Sequence, residues 1–154
     1  LIDLNYLKKK KWLLIIFVIS FLTRTTFVMI KDHPHQNVYF NFIPGKNIQT
    51  KFELDYWGLS NKQALEYILK NDNKNVIRIG SAGPISIENS KQILSSLEKN
   101  RILISKNSKS DYIIDNYIKW GKYKKKRHEI PNNFKIYKEI FVSGKRLISI
   151  YKRI

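Results

Sequence analysis

Asn75 to Ser105 reads NVIRIGSAGPISIENSKQILSSLEKNRILIS, and this stretch decides the fold. Asn75 to Pro84 is a short β-rich run that closes on two glycines and a proline. The following ISIENSKQILSSLEKN sets Ile87, Ile93, Leu94 and Leu97 on one helical face. RILIS, Arg101 to Ser105, then supplies a second strand directly after the helix. Strand, helix and strand predict a βαβ unit, parallel and right-handed. The intervening loop Gly80-Ser81-Ala82-Gly83 lacks the three-glycine spacing of a dinucleotide site and any Lys-Ser/Thr continuation, so it reads as a plain βα turn rather than a phosphate cradle.

Working outward, Ser60 is the expected N-cap of an upstream helix, with Gln63 completing a capping box and Leu59 stapled onto Ala64. That helix runs to about Asn71 and carries Ala64, Leu65, Ile68 and Leu69 on one face. Gly58 permits a sharp approach to it, and Trp57 is expected to cover its start. Downstream, DYIIDNY (Asp111 to Tyr117) gives a third strand. FKIYKEIFV and RLISIYKRI flank Ser143-Gly144-Lys145 as a closing hairpin.

Before all of this lies WLLIIFVISFLTRTTFVMI, Trp12 to Ile30, which holds a single charge. A helix of that length spans about 28 Å, close to the hydrocarbon core of a bilayer. It is too long for a secretory h-region and does not end in small residues, so it is expected to remain in the membrane. The fold class is therefore α/β, with one transmembrane helix followed by a small α/β domain whose mixed sheet combines the βαβ unit and the C-terminal hairpin. The expected domains are a cytoplasmic basic loop over 1–11, the membrane helix over 12–30, an aromatic membrane-exit segment over 31–59 and an extracytoplasmic domain over 60–154. Lys8 to Lys11 outweigh Lys31 on the opposite flank, and the positive-inside bias then places the N-terminal side in the cytoplasm. Leu1 stands where a start methionine would, and no signal cleavage pattern follows, so the chain reads as a fragment or a processed product.

Arg24, inside Thr23-Arg24-Thr25-Thr26, costs roughly 2.5 to 3.5 kcal/mol at mid-membrane on insertion scales. Two readings stand. Its side chain can snorkel toward the end of the helix, or it can face a polar interior among several helices where a phosphate could sit.

Net charge is +17, and the first 30 residues hold +4 of it, leaving +13 on residues 31–154. The densest run is KYKKKR, Lys122 to Arg127, near Tyr117, Trp120 and Tyr123. Lysine, asparagine and isoleucine are abundant throughout, as AT-rich coding produces. A solvated lysine loop comes first, attraction to anionic lipid headgroups second, and nucleic acid last because the domain is expected outside the cytoplasm. No cysteine is present, which removes disulfide and thiol chemistry. His33-Pro34-His35 has no third ligand at a recognisable metal spacing and reads as a polar turn at the membrane exit; the expected metal set is none. Glu53 and Asp55 share a face of an extended segment and read as solvated carboxylates rather than an acid–base pair.

The run HPHQNVYFN (His33 to Asn41) after a membrane helix, followed by Gly45 and FELDYWG (Phe52 to Gly58), resembles the last membrane helix and C-terminal region of bacterial GT-C-type, protein-mannosyltransferase-like glycosyltransferases. GKRLISIYKR, Gly144 to Arg153, is similar to the closing strand of that region. The resemblance covers about residues 12–154 and is strongest from His33 to Gly58. One departure is His35, where the family pattern has tyrosine.

The resemblance implies transfer of a sugar from a lipid-phosphate donor at the outer face of the bacterial inner membrane. It implies partners in membrane lipid and in upstream helices of the same parent protein, and no nucleic acid. The family's catalytic acid lies in an early extracytoplasmic loop to which no part of this chain corresponds, so no residue here inherits the catalytic role. Arg24, His33, Asp55, Tyr56 and Trp57 are the candidate substrate or lipid contacts. No cofactor is identifiable beyond the lipid-phosphate sugar that the parent enzyme would use. For Tyr56 and Trp57 the expected main role is to lock the domain onto the exit segment, with ligand contact secondary. The competing function is a single-pass anchor carrying a basic α/β binding domain for anionic lipid or a protein partner.

Overall fold

The structure, a computed structural model, describes residues 4–39, 48–118 and 128–154. The chain forms two compact units, Leu1–Tyr39 and Phe40–Ile154. Much of the aromatic run after Tyr39 and the lysine run Lys122 to Arg127 with Trp120 and Tyr123 lie outside the described residues.

The first unit is built on α1 (Leu4–Lys31). Lys8 to Lys11, expected as a loop, are helical, because lysine is a good helix former and nothing there breaks the helix. From Lys10 to Lys31 the helix is long and apolar enough to cross a membrane, 22 residues or about 33 Å. Its large side chains, among them Trp12, Phe17, Leu22 and Phe27, are exposed. The helix stops before His33-Pro34, where proline has no N–H to continue the ladder. A 3-10 turn, Gln36–Val38, follows.

The second unit contains a five-stranded sheet in the order β2-β1-β3-β5-β4. Its strands are β1 (Ile77–Ser81), β2 (Ile102–Ile104), β3 (Tyr112–Asp115), β4 (Phe134–Val142) and β5 (Lys145–Arg153). β1 is parallel to both β2 and β3, while β5 runs antiparallel between β3 and β4. The sheet is mixed, as the sequence predicts. A short helix α2 (Ile48–Lys51) leads to α3 (Leu59–Asn71).

Alternation decides what each face of the sheet holds. Ile77, Ile79, Tyr112, Ile114, Ile148 and Ile150 point to one face, where they pack with Ala64, Leu65, Ile68 and Leu69 of α3. The opposite face carries a smaller cluster of Ala82, Ile113 and Phe134, with Ile130 and Tyr151 against it. Arg101 closes the C-terminal end of α3 across the chain. Its guanidinium donates to the carbonyls of Leu69 at 3.2 Å, Lys74 at 3.2 Å and Asp72, groups that a helix end leaves without partners.

The predicted helix after β1 is two helices, α4 (Ile87–Gln92) and α5 (Ser96–Arg101). Ser95 starts the second: its hydroxyl accepts from Glu98 N at 3.4 Å, and its own N–H donates to the Glu98 carboxylate at 3.0 Å. This capping box outcompetes helix continuation. The expected common face is lost with it: Ile87 and Leu94 are buried, whereas Ile93 and Leu97 are exposed. At the closing hairpin, Ser143 (φ 47°) and Gly144 (φ 73°) both lie in the left-handed region, the signature of a type I′ two-residue turn.

Candidate functional site

The motif segment before α3 is organised by a buried carboxylate. Asp55 is 1% exposed. It accepts from the Ser60 N–H at 3.2 Å and from the Ser60 hydroxyl. The expected cap at Ser60 is therefore replaced: Gly58 (φ 67°) takes the N-cap position without a side-chain bond, and Asp55 reaches over it to satisfy the first turn. A carboxylate there also suits the positive end of the helix dipole. The reading of Asp55 as solvated is corrected, because two donors from α3 replace its water.

Tyr56 and Trp57 stand on this cap. Their rings meet edge to face, with centroids 5.0 Å apart at 88°. Trp57 is 74% exposed and Tyr56 about half exposed, so Trp57 does not cover the start of α3. Asp55, Tyr56 and Trp57 are thus brought together as a polar base below an outward-facing aromatic pair. Arg24 and His33 belong to the first unit. Arg24 is exposed on α1, and His33 Nδ1 lies 2.7 Å from Gln36 Nε2. Next to Arg24, the Thr23 hydroxyl donates back to Ile19 O at 2.9 Å. No group of three or more metal-ligating side chains occurs among the described residues.

A feature that the sequence reading missed is a cleft of about 650 Å³ outside the carboxyl ends of β1 and β2. Open α/β sheets bind ligands on this carboxyl-end side of their strands. One wall is the β1–α4 loop with Gly83, Pro84 and Ile85, and the other is the turn after β2 from Ser105 to Ser108. His128, Glu129 and Pro131 complete it. Gly80 lets the turn after β2 pack against β1, and Gly83 lets Asn116 pack against the β1–α4 loop. A Cβ on Gly80 would stand 2.2 Å from Asn107 Oδ1, and one on Gly83 would stand 2.2 Å from Asn116 Oδ1. A side chain at either glycine would block this close packing of Asn107 or Asn116. Arg153 fixes the turn from behind, donating to Ser110 O at 2.7 Å and Ser108 O at 2.9 Å while its guanidinium stacks over Phe134.

Two polar clusters elsewhere in the sheet are internally satisfied. On one face, Asp115, Ser149 and Glu139 lie in register across β3, β5 and β4. Glu139 accepts from Arg146 at 2.9 Å and from Ser149 at 3.0 Å. The Arg146 bond in particular holds the Glu139 carboxyl below its usual range. The Arg146 guanidinium sits 4.2 Å over the Tyr117 ring. On the α3 face, burial and the nearby Asp72 carboxylate push the Tyr112 hydroxyl well above its usual range. Burial works to raise Asp72 as well, but bonds from Lys74 N and Tyr112 and the charges of Lys74 and Lys152 bring it below the usual carboxylate value.

No family model, curated protein or solved structure matches the chain.

Proposed function

We propose that this chain is the outer, C-terminal part of a membrane glycosyltransferase that uses a polyprenyl-phosphate-linked sugar. In this reading α1 is its last span, residues 31–154 lie outside the bacterial inner membrane, and catalytic chemistry belongs to other parts of the parent protein. The observation that carries it is the build of the motif segment: Asp55 is spent on capping α3, which leaves the Tyr56–Trp57 pair rigidly based and outward-facing. An exposed aromatic pair next to a capped helix start suits contact with a sugar, a headgroup or another part of a larger protein. Arg24 inside the apolar run Trp12 to Ile30 further supports a span that works among other helices.

The test separates structure from contact. Trp57→Ala is expected to leave melting of the chain unchanged, because the ring is exposed, and to depress transfer from a polyprenyl-phosphate sugar by the full-length parent. Absence of transfer by the full-length parent, or an upstream reading frame without further apolar spans, overturns the reading, and unchanged transfer by Trp57→Ala overturns the contact role of the ring. Residues 1–154 alone are expected to transfer no sugar. A reporter fused after Ile154 that is active only in the cytoplasm would overturn the orientation.

The second reading, a membrane-anchored binding domain, is favoured by one observation, the cleft at the carboxyl ends of β1 and β2.

A further inference from the structure

We infer that the cleft between the β1–α4 loop and the turn after β2 binds a small phosphorylated polyol, such as a sugar phosphate. This goes beyond the glycosyltransferase reading and does not rest on it. Position is the first argument: the walls leave the carboxyl ends of the adjacent parallel strands β1 and β2, the side of an open α/β sheet on which ligands bind. Size is the second, since about 650 Å³ is the volume of a small-molecule pocket and far more than an inorganic anion fills.

Beside the apolar Pro84, Ile85, Ile87 and Ile104 and the carboxylate of Glu129, the lining carries the polar groups that a phosphorylated polyol would use. Lys106 and His128 are the basic groups of the cleft, and Lys106 enters no ion pair among the described residues. Lysine binds phosphate as a point charge. Four hydroxyls, on Ser81, Ser86, Ser105 and Ser108, line the same space. Their unused capacity is complementary. Ser86 accepts from Glu88 N at 3.2 Å and retains its proton to donate. Ser81 donates to Gly83 O at 3.1 Å and retains its lone pairs to accept. Groups that can both donate and accept match the hydroxyls of a polyol. Among the described residues, the lining offers a planar base only the His128 imidazole to stack on.

Nothing needs to be built for the ligand to enter. Gly80 and Gly83 already allow Asn107 and Asn116 to pack against the β1 loop, and Arg153 holds the opposite turn by its carbonyls. The exposed Lys106 side chain takes no part in these contacts, so it can be substituted without disturbing the walls.

The experiment titrates the full chain, in an uncharged detergent at roughly 0.15 M salt to screen general attraction to a basic surface, with glucose 6-phosphate, glucose and inorganic phosphate in parallel. Binding is read by calorimetry. Glucose 6-phosphate is expected to saturate, with glucose and phosphate each at least about tenfold weaker, as expected when one charge-assisted or several neutral hydrogen bonds are lost. Lys106→Ala is expected to weaken glucose 6-phosphate at least about tenfold. Lys135→Ala, exposed on β4 and outside the cleft, is expected to leave it unchanged. Both substitutions are at exposed positions, and equal melting temperatures confirm that each variant folds. Absence of saturable binding overturns the inference. So does equal weakening by Lys106→Ala and Lys135→Ala, which would mean surface charge alone, and so does phosphate binding as tightly as the sugar phosphate.

Discussion

The Tyr112 hydroxyl donates to Asp72 Oδ2 at 2.9 Å, joining the middle of the sheet to the end of α3 through a buried bond. Asp72 also accepts from Lys74 N at 3.0 Å, so one carboxylate terminates the helix and receives the strand.

Removing that hydroxyl in Tyr112→Phe is expected to cost about 1.5 to 3 kcal/mol at neutral pH, the range for a hydrogen bond to a charged group. The pH dependence has two sides. Asp72 titrates below its ordinary 3.8 in the fold, so its stabilisation is present above that value and is lost as pH falls through the lower folded value. Tyr112 titrates above its ordinary 10.0, so its contribution is present below pH 10.0 and is lost as pH rises toward the folded value. Denaturant midpoints measured across pH should show both losses in the parent chain, and the alkaline one should shrink in Tyr112→Phe.

Asp55→Ala removes the acceptor of two α3 donors and is expected to lower stability by about 1 to 3 kcal/mol. Asp55→Asn, which keeps one acceptor oxygen, should lose less. Urea denaturation of the variants orders them, and an Ala variant as stable as the parent would show that the cap carries no weight.

Gly83→Ala drives a methyl into Asn116 and is expected to cost about 1 to 3 kcal/mol through overpacking. Adding Asn116→Ala removes the obstruction, so the double variant should be more stable than the sum of the single changes predicts. Melting temperatures of the four proteins complete the cycle.

Ser143 holds a left-handed backbone that serine adopts with strain, and Asn is favoured at that place in a type I′ turn. Ser143→Asn should therefore raise stability, read as a higher melting temperature. A Cβ at Gly144 meets no atom within 4 Å, so any loss in Gly144→Ala comes from backbone conformation alone.

Much of the fold was legible because its signals are local. The apolar helix, the strands of Ile77 to Ser81 and Ile102 to Ile104, and the hairpin around Ser143-Gly144 each follow from short-range periodicity and turn chemistry. The break between α4 and α5 was also written locally, in Ser95-x-x-Glu98, but the apolar spacing of Ile87, Ile93, Leu94 and Leu97 suggested one continuous helix. Asp55 was misread because its partners lie beyond the glycine turn, and burial of a carboxylate depends on what covers it. The cleft brings together Ser81, Lys106 and His128, separated widely in the chain, so only the topology reveals it. The parallel pairing of β1 and β2 was the available clue, since it marks the loops after Ser81 and Ile104 as neighbours.

β5 is the last strand in chain order, yet it lies inside the sheet, between β3 and β4. Its residue Arg153 also holds the turn that walls the cleft. During synthesis, β1, β2 and β3 emerge first and can pair among themselves, but β3 keeps an open edge until β5 arrives and brings β4 with it. A chain stopped before β5 is therefore expected to leave the turn that walls the cleft without the Arg153 bonds that hold it.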